Sequence, residues 1–269
     1  MSAVAPAESF EFDYFALTDT GRTRSNNEDS VALDASTGVM VLADGMGGYN
    51  AGEVASGMAT EFIREKLGQW LNQASGTASD ADVRRAMDIC VDNANRAIFD
   101  AANSIPQYAG MGTTLVVGVF RDRRLLLGHV GDSRGYRLRA GRLQQLTRDH
   151  SLLQEQVDAG LLTVEQAAHS VNRNLVTRAV GVEDTVLLDT QQHEVQPGDV
   201  YLLCSDGLSD MLDDDAITQL MLGANGLEET ATALVDAANE AGGKDNISVV
   251  LARVRGSAAA GRAWWPFRR

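Results

Sequence analysis

Residues 39–53 read VMVLADGMGGYNAGE. Five apolar residues, Val39 to Ala43, run into Asp44, and Gly45, Gly47, Gly48 and Gly52 follow. An apolar run of this length, closed by turn-forming residues, predicts a buried β-strand. Its carboxylate stands where rigid backbone gives way to glycines, which let backbone or ligand come close. A lone Asp-Gly after a strand is an ordinary turn signal. The question is therefore whether other acids repeat the arrangement.

They do. Val200–Cys204 runs into Ser205-Asp206-Gly207, and Leu125–Val130 runs into Gly131-Asp132-Ser133. On the entry side, Asn27-Glu28-Asp29 precedes a strand expected at Ser30, and Lys244-Asp245-Asn246 precedes one expected at Ile247. Carboxylates gathered without basic partners repel one another, and a shared divalent cation relieves that repulsion. Every donor is oxygen, and no His or Cys has metal-ligand spacing. That chemistry favours magnesium or manganese over a zinc-type site.

Outward from these stations, further strands are expected over Phe10–Leu17, Ser30–Leu33, Thr113–Phe120, Gly135–Arg139, Leu143–Leu146, Val186–His193 and Ile247–Val254. Helical periodicity covers Ala51–Leu71, Asp80–Ala102, Ala216–Leu222 and Leu227–Ala241, with Ser79 as an N-cap and Asp82 three residues on. Residues 150–178 read as short polar helical pieces set off from the sheets. The strands form two groups, with two long helices between them and two near the end. That order is not an alternating β-α-β-α pattern. It predicts an α+β fold of two mainly antiparallel sheets packed together with helix pairs outside, a four-layer α-β-β-α sandwich.

The chain has 269 residues, 44% of them apolar and 22% charged, enough for a substantial core. A formal net charge of −14 argues against a general nucleic-acid binder, which needs a basic face. Cys90 and Cys204 lack Cys-x-x-Cys spacing and read as core thiols of a reducing compartment. The first residues show no secretory signal, and no stretch has the length of a membrane span. A cytoplasmic protein is expected.

The stations also fall into an ordered set of motifs. Residues 18–29 (TDTGRTRSNNED), Asp44-Gly45-Met46-Gly47-Gly48, Gly112-Thr113-Thr114-Leu115, Gly131-Asp132-Ser133-Arg134, Thr147-Arg148-Asp149-His150-Ser151, Ser205-Asp206-Gly207-Leu208 and Lys244-Asp245-Asn246 follow in chain order. This set resembles the PPM family, the metal-dependent protein serine/threonine phosphatases of the 2C type, in its compact bacterial form. The resemblance covers about residues 10–255, leaving a flexible N-terminus over 1–9 and a tail over 256–269.

The resemblance implies a phosphoric monoester hydrolase acting on phosphoserine and phosphothreonine in proteins, opposing a bacterial Ser/Thr kinase. It implies two magnesium or manganese ions with a bridging water as nucleophile. Carried over, Asp44 bridges both ions, the Gly45 carbonyl joins one shell, Glu28 serves one ion, and Asp206 and Asp245 serve the other. Asp29 holds metal-bound waters, and Arg24 clamps the phosphate. A third, weaker ion is often seen in relatives, and Asp132 and Asp210 match its ligands. The segment 151–172 corresponds to a flap beside the cleft, and His150 reads as a structural residue. Met46 stands where many eukaryotic members carry a His proposed as general acid, and a thioether cannot donate a proton. The expected partners are phosphorylated proteins and a cognate kinase, with no nucleic acid and no membrane span, and the expected state is a monomer. The aromatic and basic tail, Trp264 to Arg269, reads as disordered or locally packed.

Overall fold

The computed structural model of the chain describes residues 10–48, 51–74, 76–163, 166 and 175–256. Two antiparallel sheets lie at its centre. The first contains β1 (Glu11–Asp19), β11 (Ile247–Arg255), β10 (Val200–Cys204), β7 (Arg134–Arg139) and β8 (Arg142–Gln145), in that order. The second contains β2 (Asp29–Asp34), β3 (Val39–Met46), β5 (Leu115–Arg121), β6 (Arg124–Val130) and β9 (Asp189–Glu194), and the short β4 (Gly112–Thr113) pairs with the end of β3.

The two sheets face each other over an apolar layer. Met40, Leu42, Val116, Leu127, Tyr201, Leu203 and Val250 fill it. Phe120 packs against Phe12 and Tyr201, with ring centroids 4.7 and 5.2 Å apart. The alternate residues of the same strands point outward onto helices, as a period of two requires. Val39, Val41, Ala43 and Val117 meet α1 (Ala51–Ala74) and α2 (Asp80–Ser104) through Ala55, Ile63, Met87 and Ile98. On the other sheet, Leu202, Cys204, Val249 and Leu251 meet α5 (Asp214–Gly223) and α6 (Leu227–Glu240) through Ile217, Leu234 and Ala238. Both faces of the central strands are buried, which explains their unbroken apolar runs. The four-layer α-β-β-α order is as the sequence predicts.

Local signals act where expected. Ser79 caps α2 in a reciprocal capping box with Asp82. The hairpin between β7 and β8 turns through Ala140 and Gly141, both at positive φ, 49° and 78°. Cys90 and Cys204 are free and buried.

Several bounds differ from expectation. β3 does not end before Asp44; it continues to Met46, because β4 pairs with Gly45 and Met46. The strand expected over Thr113–Phe120 is divided, with Thr114 as the break between β4 and β5. β9 is displaced toward Glu194 from the expected Val186–His193, since it pairs with β6 from Arg124 to His129. In the excursion after β8, α3 (Leu152–Asp158) is described, whereas residues 164–165 and 167–174 lie outside the described residues, as do 1–9 and the tail from 257. Among the described residues, no helix is long and apolar enough to cross a membrane.

Candidate metal centre

The acidic stations meet at one end of the sandwich. Asp29 opens β2 and Asp44 lies near the end of β3, and the two are register partners. Asp132 follows β6 in the turn to β7. Asp206 opens the four-residue helix α4 (Asp206–Ser209) directly after β10, and Asp245 precedes β11. Residues scattered over the chain thus converge because their strands end on the same side.

The electrostatics report the convergence. Burial pushes the Asp44 carboxyl well above its usual range, and Asp29, Asp206, Asp132 and Asp245 push it further. Burial likewise raises Asp206, with Asp132, Asp210, Asp245 and Asp29 adding to the effect. Asp29 is raised by burial first, against hydrogen bonds that lower it. Asp132 is pushed up to about 6, by burial and then by Asp149. Glu28 is raised by burial, with Arg24 opposing and Asp245 and Glu53 reinforcing. Burial leads each shift, and for Asp44 and Asp206 the neighbouring carboxylates add to it.

Backbone and hydroxyl groups fix these acids in place. Ser205 Oγ donates to Asp29 Oδ2 at 2.8 Å, and the Ser248 N–H donates to Ser205 Oγ at 3.0 Å. Asp29 Oδ1 is buried without a partner. The Asp44 N–H donates to Thr114 Oγ1 at 3.0 Å, and its carbonyl accepts from the Thr114 N–H at 2.8 Å and from Thr113 Oγ1 at 2.9 Å. Ser56 Oγ, on α1, donates to the Glu28 carbonyl at 2.6 Å. Glycine is required at Gly45, where a Cβ would lie 2.1 Å from the Gly52 carbonyl oxygen and 2.6 Å from that of Glu28. A Cβ at Gly52 would lie 2.9 Å from the Glu28 carboxyl carbon. The glycines after Asp44 therefore bring three backbone segments together beside the acids.

Arg24 is half exposed and donates from Nη2 to Asp245 Oδ2 at 2.7 Å. Asp245, Glu28 and Asp206 all raise its pKa, which places its guanidinium over the acidic cluster.

Asn246 is the residue whose role the sequence alone did not single out. Its Oδ1 accepts the Glu28 N–H at 2.8 Å, and its Nδ2 donates to the carbonyls of Thr20 and Asn26 at 2.9 and 2.8 Å. It is buried and ties the whole 20–28 loop to the start of β11. Its position directly after Asp245 was the only available hint.

The structure also gathers His129, His150 and Asp189, whose ligand atoms lie within 4.8 Å of one another. Their geometry is structural. The two rings stack at 4.7 Å with 14° between planes, so their in-plane lone pairs cannot aim at one ion. His129 Nε2 bonds the Arg148 carbonyl at 2.7 Å. His150 Nδ1 accepts the Gly131 N–H at 3.1 Å, which leaves the proton on Nε2 facing Asp189 Oδ2 at 3.1 Å. Arg178 already pairs with Asp189 Oδ1 at 2.9 Å.

The acid cluster fits hard divalent cations. It offers carboxylate and carbonyl oxygens, several raised pKa values and one buried oxygen without a partner.

Comparison with known proteins agrees with this chemistry. The family described as Protein phosphatase 2C matches residues 20–252. The serine/threonine protein phosphatase PstP of Mycobacterium tuberculosis is 41% identical over 244 residues, covering 90% of this chain. The chain spans 45% of that protein's length. The serine/threonine phosphatase stp of Listeria monocytogenes is 35% identical over 237 residues, covering 87% of this chain and 92% of that one. Among solved structures, the catalytic domain of PstP in complex with 2 manganese ions superposes with a TM-score of 0.80 at 38% identity, covering 92% of this chain and 100% of that one.

Proposed function

Because the chain belongs to the protein phosphatase 2C family, we propose that it is a metal-dependent phosphatase that removes phosphate from serine and threonine side chains of proteins. The observation that carries this reading is the cluster of Asp29, Asp44, Asp132, Asp206 and Asp245, buried or partly buried together, with Arg24 beside Asp245 and Arg134 near Asp132 as cations that act on it.

In this reading Glu28, Asp44, the Gly45 carbonyl, Asp206 and Asp245 would hold two magnesium or manganese ions. Bound ions supply Lewis-acid charge and lower the pKa of water toward neutrality, which provides a nucleophile for phosphoester hydrolysis. Asp29, held by Ser205, presents its free Oδ1 to orient water in the centre. Asp132 and Asp210 would hold a third ion. Arg24 exchanges its contact with Asp245 for the substrate phosphate, whose oxygens match a guanidinium in two parallel hydrogen bonds. Met46 offers no proton, so the leaving alkoxide takes its proton from water. The substrates are phosphorylated proteins made by a Ser/Thr kinase in the same cytoplasm, and the enzyme acts as a monomer. The two buried free thiols suit that reducing compartment.

The test is phosphate release from a phosphothreonine peptide with Mn²⁺ or with EDTA, for the wild type and Asp206→Asn. Turnover that needs Mn²⁺ and falls at least about a hundredfold in the variant is expected, the scale on which charge-stabilising groups act. A wild type that binds Mn²⁺ without turnover would instead be a phosphoprotein-binding module.

A further inference from the structure

Beside the acid cluster stands an apolar step that the metal chemistry leaves unused. Alternation along β3 puts Met46 on the same face as Asp44. The cross-strand partner of Met46 on β4 is Gly112. A Cβ at Gly112 would lie 2.7 Å from Val182 Cγ2 and 3.7 Å from Met46 Cγ. The two side chains therefore close over the place where Gly112 has none. Val182 nonetheless remains 52% exposed.

The backbone beneath Val182 is held rigidly. Val180 and Thr113 exchange both backbone hydrogen bonds, at 3.0 and 2.8 Å. The Gly181 N–H donates to Asn95 Oδ1 at 2.7 Å, and Asn95 Nδ2 donates to the Glu183 carbonyl at 3.0 Å. Asn95 is fully buried on α2, with both ends of its amide spent on this turn. Gly181 has φ +88°, and a Cβ there would lie 2.2 Å from Ile98 Cγ2, so α2 packs directly against the turn. Val182 itself has one stiff, β-branched torsion. An exposed apolar side chain that is already ordered loses little freedom when it is covered, which suits a binding contact.

We propose that Val182, together with Met46, receives an apolar side chain flanking the phosphorylated residue of the substrate protein, and so sets substrate preference. The proposal rests on the phosphatase reading above. With the phosphate at the acid cluster, the peptide leaves across the face that carries Asp44, Met46, Gly112 and Val182. Gly47 and Gly48, exposed at the same rim, carry no side chain to compete for the contact. The strong negative charge of the chain disfavours acidic flanking residues on the same path.

The test compares phosphothreonine peptides that differ only by Leu or Asp at each of the two positions on either side of the phosphothreonine. The readout is the ratio of kcat/KM for the Leu peptide to that for the Asp peptide, measured within each enzyme with Mn²⁺. The wild type is expected to favour Leu about fivefold at one position, for roughly 40 Å² of apolar surface covered. V182K should bring the ratio at that position below one and leave the other positions unchanged. V182T, which keeps the shape and adds a hydroxyl, should fall between. A flat wild-type ratio at every position overturns the proposal, as does a ratio unchanged in both variants. Wild-type turnover of p-nitrophenyl phosphate separates the two layers. Turnover of it with flat peptide ratios overturns only the role of Val182, and no turnover of it with Mn²⁺ overturns the phosphatase reading as well.

Discussion

Asp29 and Asp44 are direct cross-strand partners at the site end of β2 and β3, with Asp29 almost fully buried. Like charges placed opposite each other in an antiparallel pair destabilise it. In the proposed metal-bound state, a cation held by the cluster would offset this repulsion. Metal-free protein should therefore gain from losing one charge. Asp44→Asn is expected to raise the metal-free Tm by about 2 °C, for about 1 kcal/mol of relieved repulsion. Mn²⁺ at a hundred times its Kd should raise the wild-type Tm by roughly 5–10 °C and leave the variant nearly unmoved. Thermal unfolding in EDTA and in MnCl₂ checks both halves; a variant less stable than wild type without metal would contradict the repulsion.

Asn246 satisfies three backbone groups of the 20–28 loop at once. Asn246→Ala leaves the Glu28 N–H and two carbonyls without it, at a cost of about 2–4 kcal/mol. The loop carries Arg24 and Glu28, so Mn²⁺ affinity should fall together with stability. Urea unfolding with a parallel Mn²⁺ titration reads both, and unchanged Mn²⁺ affinity would show that the loop keeps its place without this tie.

Gly181→Ala introduces a methyl 2.2 Å from Ile98 Cγ2 at a φ of +88°. Overpacking and the left-handed backbone together should cost about 3 kcal/mol. Ile98→Ala makes room for that methyl, so the double variant should be more stable than the sum of the single effects by at least about 1 kcal/mol. A double-mutant cycle by urea unfolding gives the coupling directly, and simple additivity would refute the contact.

His150 carries a pH dependence of definite sign. Burial holds its pKa below the ordinary 6.5; the Asp189 contact opposes this, and His129 and Arg178 reinforce it. The Gly131 N–H also points at Nδ1, which therefore resists a proton. The unfolded chain binds more protons at this site than the folded one, so stability from neutral His150 is present above pH 6.5 and is lost as pH falls through the folded value. His150→Asn keeps an acceptor for Gly131 and removes the titration. The stability advantage of wild type over this variant should narrow from pH 7.5 to pH 5, measured by urea unfolding at each pH. A constant difference would remove His150 as its source.

Much of this architecture was legible in the sequence. Val200–Cys204 is bounded in the fold as its apolar run predicts, because both of its faces are buried and its ends carry turn residues. The Ser79–Asp82 cap is a local hydrogen-bond exchange and needs no distant partner. The acids were recognisable as a set because each follows or precedes a strand. Where the reading slipped, a partner far along the chain decided the matter. β3 reaches Met46 only because β4 pairs with it, and β9 is placed by its register with β6.

The sequence by itself determined the element order, the layers, the acids that stand at the strand ends and the glycines that clear space beside them. These follow from local backbone preference and from apolar periodicity, which a linear pattern records directly. The tertiary structure alone decided that Asp29 stands opposite Asp44, that Asn246 holds Glu28 across 218 residues, that His129 and His150 stack, and that Val182 covers Gly112. Each of these depends on strand register and on which distant surfaces pack together. Packing many side chains at once fixes both, and no local stretch of the chain encodes either.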